Sequence, residues 1–546
     1  MPPAGALATA SRAATLRRLG EERFDLAVIG GGITGAGLAR EAALRGLRVA
    51  LLEARDFASG TSSRSSKLIH GGLRYLAMGD VALVRSTALE RKVIHRLAPH
   101  LAEPRWMVVP TRSYAGLMKL RAGITTYEKL GAVEERDLHR NWGKDELAQE
   151  EPLLRRDRYG HACVYREYLT DDARLVLANL RAAASRGAVV LNHAPVVEIT
   201  SDGAAADGVV AECTLGGGRV RVRAHAVVNA AGPWVDAVRK LEAPDEVPAR
   251  LLLSKGVHIV VPAERLPVRN LLILNTEDRR SIFVIPRGRS VYVGTTDTEY
   301  EPGVETEPRI TRADVAYLLA PVNRDLDAPT LTPEDVSAAW AGLRPLIAEP
   351  GKKPSEISRK DEVWVGPRRV ITIAGGKLTG YRPMARMTLE RTAEVAGLAP
   401  AEPPDEAEEP LLPGGAFEGD VSGIAARLRR ETGLAEDPAR RLADLYGAEA
   451  PEVAARGAEP LVPGGEVVAG EIPWAVEVEA AATLEDVLVR RTRASLYSPG
   501  ERDGLVPVLG ERLAARLGWD AARRAREEEA TRELLAREMA FQEEPS

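Results

Sequence analysis

The sequence has little cysteine, no excess of basic residues and no long apolar run, and each absence excludes a class of protein. Its two cysteines, Cys163 and Cys213, are fifty residues apart, which excludes a zinc ribbon, an iron–sulfur site and a secreted disulfide framework. The 74 Lys and Arg residues are balanced by 79 Asp and Glu residues, so no overall basicity predicts binding to nucleic acid. No stretch approaches the ~18 consecutive apolar residues of a membrane-spanning helix. These features predict a cytoplasmic protein.

The chain is long and has a normal apolar content. Its 546 residues, 45% of them hydrophobic, are enough for several domains with substantial cores. Residues 395–419 are rich in Pro, Gly and acidic residues, a composition typical of a linker. Residues 1–23 lack the apolar stretch of a secretory signal. We expect them to form a frayed arm that leads into the first strand.

The first strong motif is a glycine-rich turn between a strand and a helix. Residues 24–29 (FDLAVI) are of strand type, and Gly30, Gly32 and Gly35 follow as G-x-G-x-x-G at the start of an Ala-rich helical pattern. The first glycine permits the tight turn, the second lets a pyrophosphate approach the backbone, and the third lets helix and strand pack closely. Glu53, at the end of the next strand, is placed to accept from a ribose hydroxyl, and its charge disfavours a 2′-phosphate. The unit predicts binding of FAD or NAD.

The segment after that strand indicates which of the two dinucleotides, FAD or NAD, is expected. An NAD domain has no need of the long Ser/Gly/His/basic loop at 56–76, DFASGTSSRSSKLIHGGLRYL. This loop resembles the flavin-contacting segment of FAD-dependent glycerol-3-phosphate dehydrogenases and glycerophosphate oxidases, within the flavoproteins similar to D-amino-acid oxidase. Further blocks that resemble this family follow in its order: APH (98–100), DDARLVLAN (171–179), VVNAAGPWVD (227–236), KGVHIVVP (255–262), IFVIPR (282–287), GTTDTEY (294–300), WAGLRPL (340–346), AGGKLTGYR (374–382) and TLEDVLVRRTR (483–493).

The resemblance implies an α/β protein with FAD as its cofactor. The expected architecture is a Rossmann-like FAD-binding domain (1–100, 160–250 and 345–395), an antiparallel-sheet cap or substrate domain (101–159 and 251–344) and an all-α C-terminal domain (396–546). By the same resemblance, these residues are expected to contact FAD: Thr61, Ser62, Ser63, Lys67, Leu68, His70, Gly71, Gly72, Val197, Ala231, Gly232, Gly376, Lys377, Leu378 and Thr379.

The implied substrate is sn-glycerol 3-phosphate, whose phosphate is best held by guanidinium and ammonium groups. The family-like motifs contain Arg74, Tyr75, Arg344, Arg359 and Lys377. Arg344 stands in the apolar WAGLRPL and would be costly to bury without an anion, although a protein carboxylate would also satisfy it. The alternative for Arg74 and Tyr75 is that they only pack in the fold. The alternative for Arg359 is an ordinary surface arginine.

The implied reaction transfers a hydride from the secondary carbinol to FAD and releases the hydroxyl proton, which gives dihydroxyacetone phosphate. A base must take that proton. His258 in KGVHIVV is the candidate, because a histidine with an ordinary pKa is largely neutral near pH 7. Its neighbours Val257 and Ile259 should point to the opposite face of the strand. Arg344 would stabilise the developing alkoxide, and His70 is the reserve base. A hydrogen-bonded core histidine is the alternative for His258.

The electron acceptor and the membrane contact are predicted less directly. Ten residues separate Leu346 from Ile357, where oxidases of the family often carry a much longer insertion. This favours a quinone acceptor over oxygen, and an oxidase that makes hydrogen peroxide is the alternative. Residues 112–131 combine apolar and basic residues at helical spacing, where the family has a helix in the membrane interface. This resemblance predicts that the protein binds peripherally to the inner face of the cell membrane. The alternative is that residues 112–131 form an ordinary helix packed on the cap.

Other functions explain fewer residues. Oxidation of an amino acid would need one carboxylate-binding arginine and would leave the other cations without a role. A flavin-binding module without catalysis would need none of them. No nucleic-acid partner is expected, and the pattern leaves a homodimer open.

Overall fold

The computed structural model describes residues 3–71, 80–244, 248–301, 303–304, 307–349, 351, 357 and 360–544. Its strands are β1 (Arg23–Ile29), β2 (Val49–Leu52), β3 (Leu68–Ile69), β4 (Glu103–Thr111), β5 (Arg140–Trp142), β6 (His161–Leu169), β7 (Val189–Leu191), β8 (Val196–Ser201), β9 (Ala206–Cys213), β10 (Gly218–Asn229), β11 (Leu251–Pro262), β12 (Leu271–Asn275), β13 (Ser281–Arg287), β14 (Ser290–Gly294), β15 (Thr298–Glu299), β16 (Ala338–Ile347), β17 (Asp361–Val365) and β18 (Ile371–Gly375).

The α-helices are α1 (Arg12–Glu21), α2 (Ile33–Leu44), α3 (Val81–Leu97), α4 (Tyr114–Leu130), α5 (Lys144–Glu150), α6 (Asp172–Ala184), α7 (Val235–Glu242), α8 (Arg312–Asp325), α9 (Tyr381–Ala396), α10 (Val421–Thr432), α11 (Glu436–Tyr446), α12 (Ala450–Ala454), α13 (Glu471–Val478), α14 (Ala494–Tyr497), α15 (Arg502–Leu517) and α16 (Ala521–Met539). A π-helical segment, Asp486–Arg491, precedes α14. In the part of the chain that the structure describes, no helix is both long enough and apolar enough to cross a membrane.

The first sheet contains the predicted dinucleotide unit. Its strands run in the order β17-β18-β10-β1-β2-β7, and β9 and β8 extend it from β10. The pairs β1–β2, β1–β10, β2–β7 and β10–β18 are parallel. The helices α2, α6 and α9 share one buried cluster with this sheet. The small residues of α2 let it lie close to β1, as a parallel sheet covered by helices requires.

The second sheet is mostly antiparallel. Its strands run β15-β11-β14-β13-β12-β4-β6-β3, with β16 beside β11 and β5 beside β6. Val257 and Ile259 of β11 lie in the apolar core shared with α8, whereas Val260 lies in the core shared with α4. This alternation is the period of two that a strand covered on both faces requires.

The C-terminal part is helical, so the predicted fold class is confirmed. Two further cores are built there, one around α10 and α11 and one around α15. The last turn also reaches the second sheet, since Phe541 is fully buried in its core.

The structure differs from the predicted boundaries where strands of the second sheet fall in FAD-domain segments. Strands β3 and β6, expected in the FAD-binding domain, pair with each other, and β6 also pairs with β4 of the second sheet. Strand β16 crosses the boundary expected at 344/345. An alternating apolar pattern shows that a segment is a strand, but not which sheet it joins.

The expectation of a frayed N-terminal arm is wrong for the described part of it. Residues 12–21 form α1, whose Leu19 is fully buried. Arg12 donates to the carbonyls of Asn192 and His193 and to the side-chain oxygen of Asn192. The arm is therefore tied to the first sheet by a long-range contact.

Candidate active site

A cavity of about 760 Å³ lies between the two sheets. Its walls include the residues that follow the carboxyl ends of β1, β2 and β10, and the face of the second sheet that bears His258 and Arg344. Ligands of open parallel sheets bind at the carboxyl ends of the strands. The volume is within the ~300–1,000 Å³ range of small-molecule and cofactor sites.

The glycine-rich turn forms one end of this cavity. Gly30 has a φ of +113°, and a Cβ on it would lie 2.6 Å from the carbonyl oxygen of Ala230. A Cβ on Gly35 would lie 1.9 Å from the carbonyl oxygen of Gly30. Both positions therefore require glycine, and Gly35 serves the close packing of helix on strand that the motif predicts.

Glu53 holds this turn from the end of β2. Its carboxylate accepts from the backbone N–H of Gly31 at 2.6 Å and from that of Arg55 at 2.9 Å. Burial raises the pKa of Glu53, and these two N–H groups act in the opposite direction. At the start of α2, Ser62 accepts from the N–H of Ile33 at 2.9 Å. Both the acid and the helix N-terminus line the cavity, where the motif predicts a ribose and a pyrophosphate.

Most of the residues expected to contact the cofactor line the cavity. They are Gly30, Gly32, Glu53, Thr61, Ser62, Leu68, His70, Ala231, Gly232, Gly376, Lys377, Leu378 and Thr379. The described residues Gly35, Ser63, Lys67, Gly71 and Val197 are not among those that line it, although Val196 is. Gly72 lies outside the described residues. The contacts of all these residues with the cofactor stay predictions.

Lys67 is not among the residues that line the cavity, and its side chain is held by protein groups. Its Nζ is 3.1 Å from both carboxylate oxygens of Asp172 and 2.8 Å from the carbonyl oxygen of Ser63. Burial, and then the charge of Arg493, lower the pKa of Lys67 to about 7. The family pattern gives the place of Lys67 in the loop, but not the direction of its side chain.

His258 lies on the cavity side of β11, opposite to Val257 and Ile259, as expected. Its ring stacks on Trp340 at 4.8 Å between centroids and 6° between planes. Its Nε2 is 2.9 Å from the hydroxyl of Ser66. Burial, and then the charges of Arg344 and Lys67, hold the pKa of His258 well below its usual range. The ring is therefore neutral at physiological pH, the state that a base needs.

Arg344 lines the cavity from β16 and is paired with a carboxylate. Its Nη1 is 3.2 Å from Oδ1 of Asp297 and 3.0 Å from the carbonyl oxygen of Thr296, and its Nη2 is 2.9 Å from the hydroxyl of Thr295. A Cβ on Gly256 of β11 would lie 2.3 Å from Nη2, so that glycine makes room for the guanidinium. The alternative raised from the sequence, pairing with a protein carboxylate, is therefore present, and the side chain still faces the cavity.

The other substrate-binding candidates are only partly described. Lys377 lines the cavity after β18, and its charge acts on Glu167, which also lines it. Arg74, Tyr75 and Arg359 lie outside the described residues. The structure thus brings Arg344 and Lys377 together with His258 around one cavity.

Sequence reasoning missed several polar residues of the cavity. Ser66, Glu167, Arg280, Thr295 and Asp297 all line it. Thr295 and Asp297 belong to the block GTTDTEY. The sequence of this block resembles the family but does not indicate a role for its individual residues. Glu167 carries no local signal, because its place in the cavity follows from the pairing of β6 with β4.

The residues fit a dinucleotide that reaches from the glycine turn to the second sheet. The turn has no space for a Cβ at Gly30, and the walls of the cavity run from Glu53 to His258 and Arg344. An elongated cofactor would therefore meet a substrate-sized space lined by cations and a neutral histidine. Fold and site define a flavin-dependent oxidoreductase.

Comparison with known proteins agrees with this class. The family model described as FAD dependent oxidoreductase matches residues 25–382, and that described as C-terminal domain of alpha-glycerophosphate oxidase matches residues 407–524. The aerobic glycerol-3-phosphate dehydrogenase of Staphylococcus haemolyticus is 37% identical over 536 residues, 94% of either chain. That of Staphylococcus aureus is 36% identical over 530 residues, 93% of this chain and 94% of the relative.

Solved structures give the same result. The glycerol-3-phosphate dehydrogenase of Bacillus halodurans complexed with FAD has a TM-score of 0.80 and 34% identity, and the match covers 99% of this chain and 100% of that chain. The chain belongs to the FAD-dependent oxidoreductases and, within them, to the family of aerobic glycerol-3-phosphate dehydrogenases. The FAD-bound glycerophosphate oxidase of Mycoplasma pneumoniae, at 17% identity and a TM-score of 0.54 over 72% of this chain and 99% of that chain, shows the shared fold alone.

Proposed function

We propose that this protein oxidises sn-glycerol 3-phosphate to dihydroxyacetone phosphate with FAD as the hydride acceptor. One observation supports this above all: His258, Arg344 and Lys377, from three separate segments, line the same cavity as the glycine turn. The family of full-length relatives named aerobic glycerol-3-phosphate dehydrogenase supports the same substrate.

The roles of the side chains follow from their chemistry. When bound, FAD supplies a two-electron acceptor. Lys377 and Arg344 are cations that hold an anionic substrate through charge-assisted hydrogen bonds, and Arg344 also stabilises negative charge that develops on the carbinol oxygen. His258 is neutral and takes the hydroxyl proton. Arg74, Tyr75 and Arg359 stay proposed substrate contacts from the family pattern.

Anaerobic mixing with chosen substrates tests the proposal. Purified protein with bound FAD is mixed with glycerol 3-phosphate, glycerol or a D-amino acid, and the flavin absorbance near 450 nm is followed. We expect only glycerol 3-phosphate to bleach the flavin, because only it offers both the phosphate and the secondary carbinol. Bleaching by the amino acid, or by glycerol equally well, would contradict it.

The physiological acceptor is proposed to be a quinone. The short connection between Leu346 and Ile357 supports this over an oxidase. After substrate reduction, the flavin should be reoxidised much faster by a short-chain quinone than by air-saturated buffer. Rapid reoxidation by oxygen with stoichiometric hydrogen peroxide would favour the oxidase alternative.

We also propose a peripheral place on the inner face of the membrane. The apolar residues Leu117, Ile124 and Tyr127 of α4 are buried in the second sheet's core, so the apolar face of this helix does not enter a bilayer. Its outer face presents exposed Lys119, Arg121 and Lys129. A basic face of this kind binds anionic lipid headgroups by charge, which is the support for the proposal.

A further inference from the structure

The ring of His258 lines the cavity but is almost fully buried. The residue is 2% exposed, and its Nδ1 is buried without a hydrogen-bond partner among the described residues. Trp340 covers one face of the ring. Gly294 lies so close on the neighbouring strand that a Cβ on it would be 2.0 Å from Cδ2 of the ring. In the described part of the chain, little of the ring is therefore open to a molecule in the cavity.

The hydroxyl of Ser66 bridges this gap. It is 2.9 Å from Nε2 of His258, and Ser66 is partly exposed and lines the cavity. Two other serines of this segment that line the cavity have different partners: the hydroxyl of Ser65 bonds to Asp172 at 2.7 Å, and that of Ser62 accepts from the N–H of Ile33 at 2.9 Å. Ser66 is thus the serine of this segment placed between the cavity and the base.

The backbone around Ser66 is held in position by the second sheet. The hydroxyl of Tyr292 donates to the carbonyl oxygen of Ser66 at 3.2 Å, and Nε1 of Trp340 donates to the carbonyl oxygen of Ser65 at 3.3 Å. The same Trp340 also stacks on His258. The hydroxyl and the ring are therefore fixed relative to each other by one side chain, which is the pre-organisation that a proton transfer needs.

We propose that Ser66 is a further catalytic residue, a relay that moves the substrate's hydroxyl proton to His258. The proposal rests on the proposed function. The carbinol O–H proton passes to Oγ of Ser66 while the Ser66 proton passes to Nε2 of His258. The C–H bond breaks and its hydrogen leaves with two electrons as a hydride to FAD, so that the carbon–oxygen bond becomes a carbonyl. Ser66 ends unchanged, and His258 ends as an imidazolium.

The relay requires His258 to carry its resting proton on Nδ1, because Nε2 must accept from Ser66. This can be observed without turnover. In the oxidised FAD-bound enzyme with ¹⁵N-labelled histidine, an unprotonated Nε2 signal belonging to His258 should disappear in His258→Asn and should shift in Ser66→Ala. A protonated Nε2 that does not respond to Ser66→Ala would overturn the relay.

Substitution of Ser66 supplies the kinetic test. Ser66→Ala should slow anaerobic flavin reduction by glycerol 3-phosphate about 100-fold or more, the lower end of the usual contribution of general acid–base catalysis. Ser66→Thr keeps a hydroxyl and should stay within about tenfold of the wild type. Ser337→Ala is the matched control, because Ser337 precedes β16 of the second sheet, bonds to the carbonyl oxygen of Val260 at 3.2 Å and is not among the residues that line the cavity, so it should leave the rate unchanged.

Solvent isotope effects and flavin content complete the test. In mixtures of light and heavy water, the wild-type rate should show the curvature of two protons in flight, and Ser66→Ala should lose it. If Ser66→Ala loses flavin or melts early, Ser66→Cys replaces it. If glycerol 3-phosphate reduces the flavin of the wild type and of the Ser66 variant equally fast, the relay is overturned but the proposed function stands. A wild type that glycerol 3-phosphate does not reduce overturns the proposed function and the relay with it.

Discussion

At the scale of single residues, two glycines of the second sheet make the space in which both predicted catalytic side chains lie. Gly256 faces the guanidinium of Arg344 and Gly294 faces the ring of His258, both at distances that a Cβ would make impossible. The pairing of β11 with β14 puts Gly294 directly opposite His258, and the pairing with β16 puts Gly256 diagonally opposite Arg344, two residues from its register partner Ser254. The blocks KGVH and VGTT therefore contain glycine for a steric reason, the space that the two predicted catalytic side chains occupy.

Gly256→Ala should separate catalysis from cofactor binding. Its Cβ would displace Arg344 from Thr295 and Asp297, and the rate of flavin reduction by glycerol 3-phosphate should fall about 10-fold or more, since a charged hydrogen bond is worth roughly 1.5–3 kcal/mol. Flavin content, measured from absorbance, should be unchanged because Gly256 lies on β11 of the second sheet, whereas the glycine turn follows β1 of the first. Gly423→Ala, at a helical glycine with no atom within 4 Å of its Cβ, is the control. Equal loss in both variants would contradict this account.

His258→Ala tests the base itself. We expect flavin reduction to slow by about 10²–10⁴-fold, the usual range for loss of a general base, while FAD binding is retained. The measurement is single-turnover reduction in a stopped-flow instrument beside the flavin-to-protein ratio. Reduction at the wild-type rate would remove His258 from the mechanism.

At the scale of elements, the sequence predicts what local signals determine. The βαβ unit is confirmed, because glycine at a tight turn and an Ala-rich helix are read within twenty residues. The helix at 171–187 is also confirmed, and the side chain of Asp171 caps α6 as expected. The Thr483–Asp486 capping contacts are present, but a π-helical segment follows them.

The features that local signals do not predict are determined by contacts between residues far apart in sequence. The bond between Ser66 and His258 joins residues 192 positions apart, and no spacing rule reaches that far. The apolar stripe of α4 is ambiguous for a different reason, since burial against a protein core and burial in a membrane select the same side chains. The stripe packs on the second sheet, so only the outer basic face is left for a membrane.

Charge reversal on α4 tests that outer face. Replacing Lys119, Arg121 and Lys129 together by Glu should weaken binding to vesicles of anionic lipid about 100-fold, at roughly 1 kcal/mol per basic residue. Co-sedimentation with vesicles measures this, and binding to neutral vesicles should not change. The matched control reverses the exposed Arg17, Arg186 and Lys240. If the control weakens binding equally, net charge rather than α4 is responsible.

At the scale of the whole molecule, buried ion pairs join the C-terminal helices to the first sheet. Asp56, after β2, bonds to Arg490 and Arg491 of the π-helical segment. Arg174 of α6 forms a bidentate pair with Glu479 at 2.6 Å. Arg493 donates to Asp171 and Asp172 at 3.0 Å, and Asp172 also holds Lys67. The C-terminal domain thus contacts the residues on either side of Ser66, Ser65 and Lys67, through the shared carboxylate of Asp172.

Asp56→Ala should strongly destabilise this joint, by which we mean the buried ion pairs between the C-terminal helices and the first sheet. Removing one partner of a fully buried pair leaves uncompensated charge, at a cost of roughly 3–5 kcal/mol. The unfolding temperature should fall, and proteolysis within the C-terminal helices should begin earlier. Glu212→Ala breaks an exposed pair with Arg219 and should cost at most about 1 kcal/mol. Similar effects of the two variants would show that the buried pair does not hold the joint.

His100 makes the same joint sensitive to acid. It lies buried between α3 and the C-terminal helices, beside Arg174, Arg181, Glu449 and Glu479. Burial, and then the charges of Arg174 and Arg181, lower its pKa to about 3.

Below the ordinary histidine pKa of about 6.5, the unfolded chain holds a proton on His100 and the native chain does not. The free energy of unfolding therefore has its full value above that pH and falls as the pH drops toward about 3. Between pH 8 and pH 5 the loss should be about 2 kcal/mol. His100→Gln cannot titrate, so its midpoint of urea unfolding should depend less on pH over this range than that of the wild type. His225→Gln, at an exposed position of β10, is the control and should keep the wild-type slope. A slope unchanged by His100→Gln would place the acid sensitivity elsewhere.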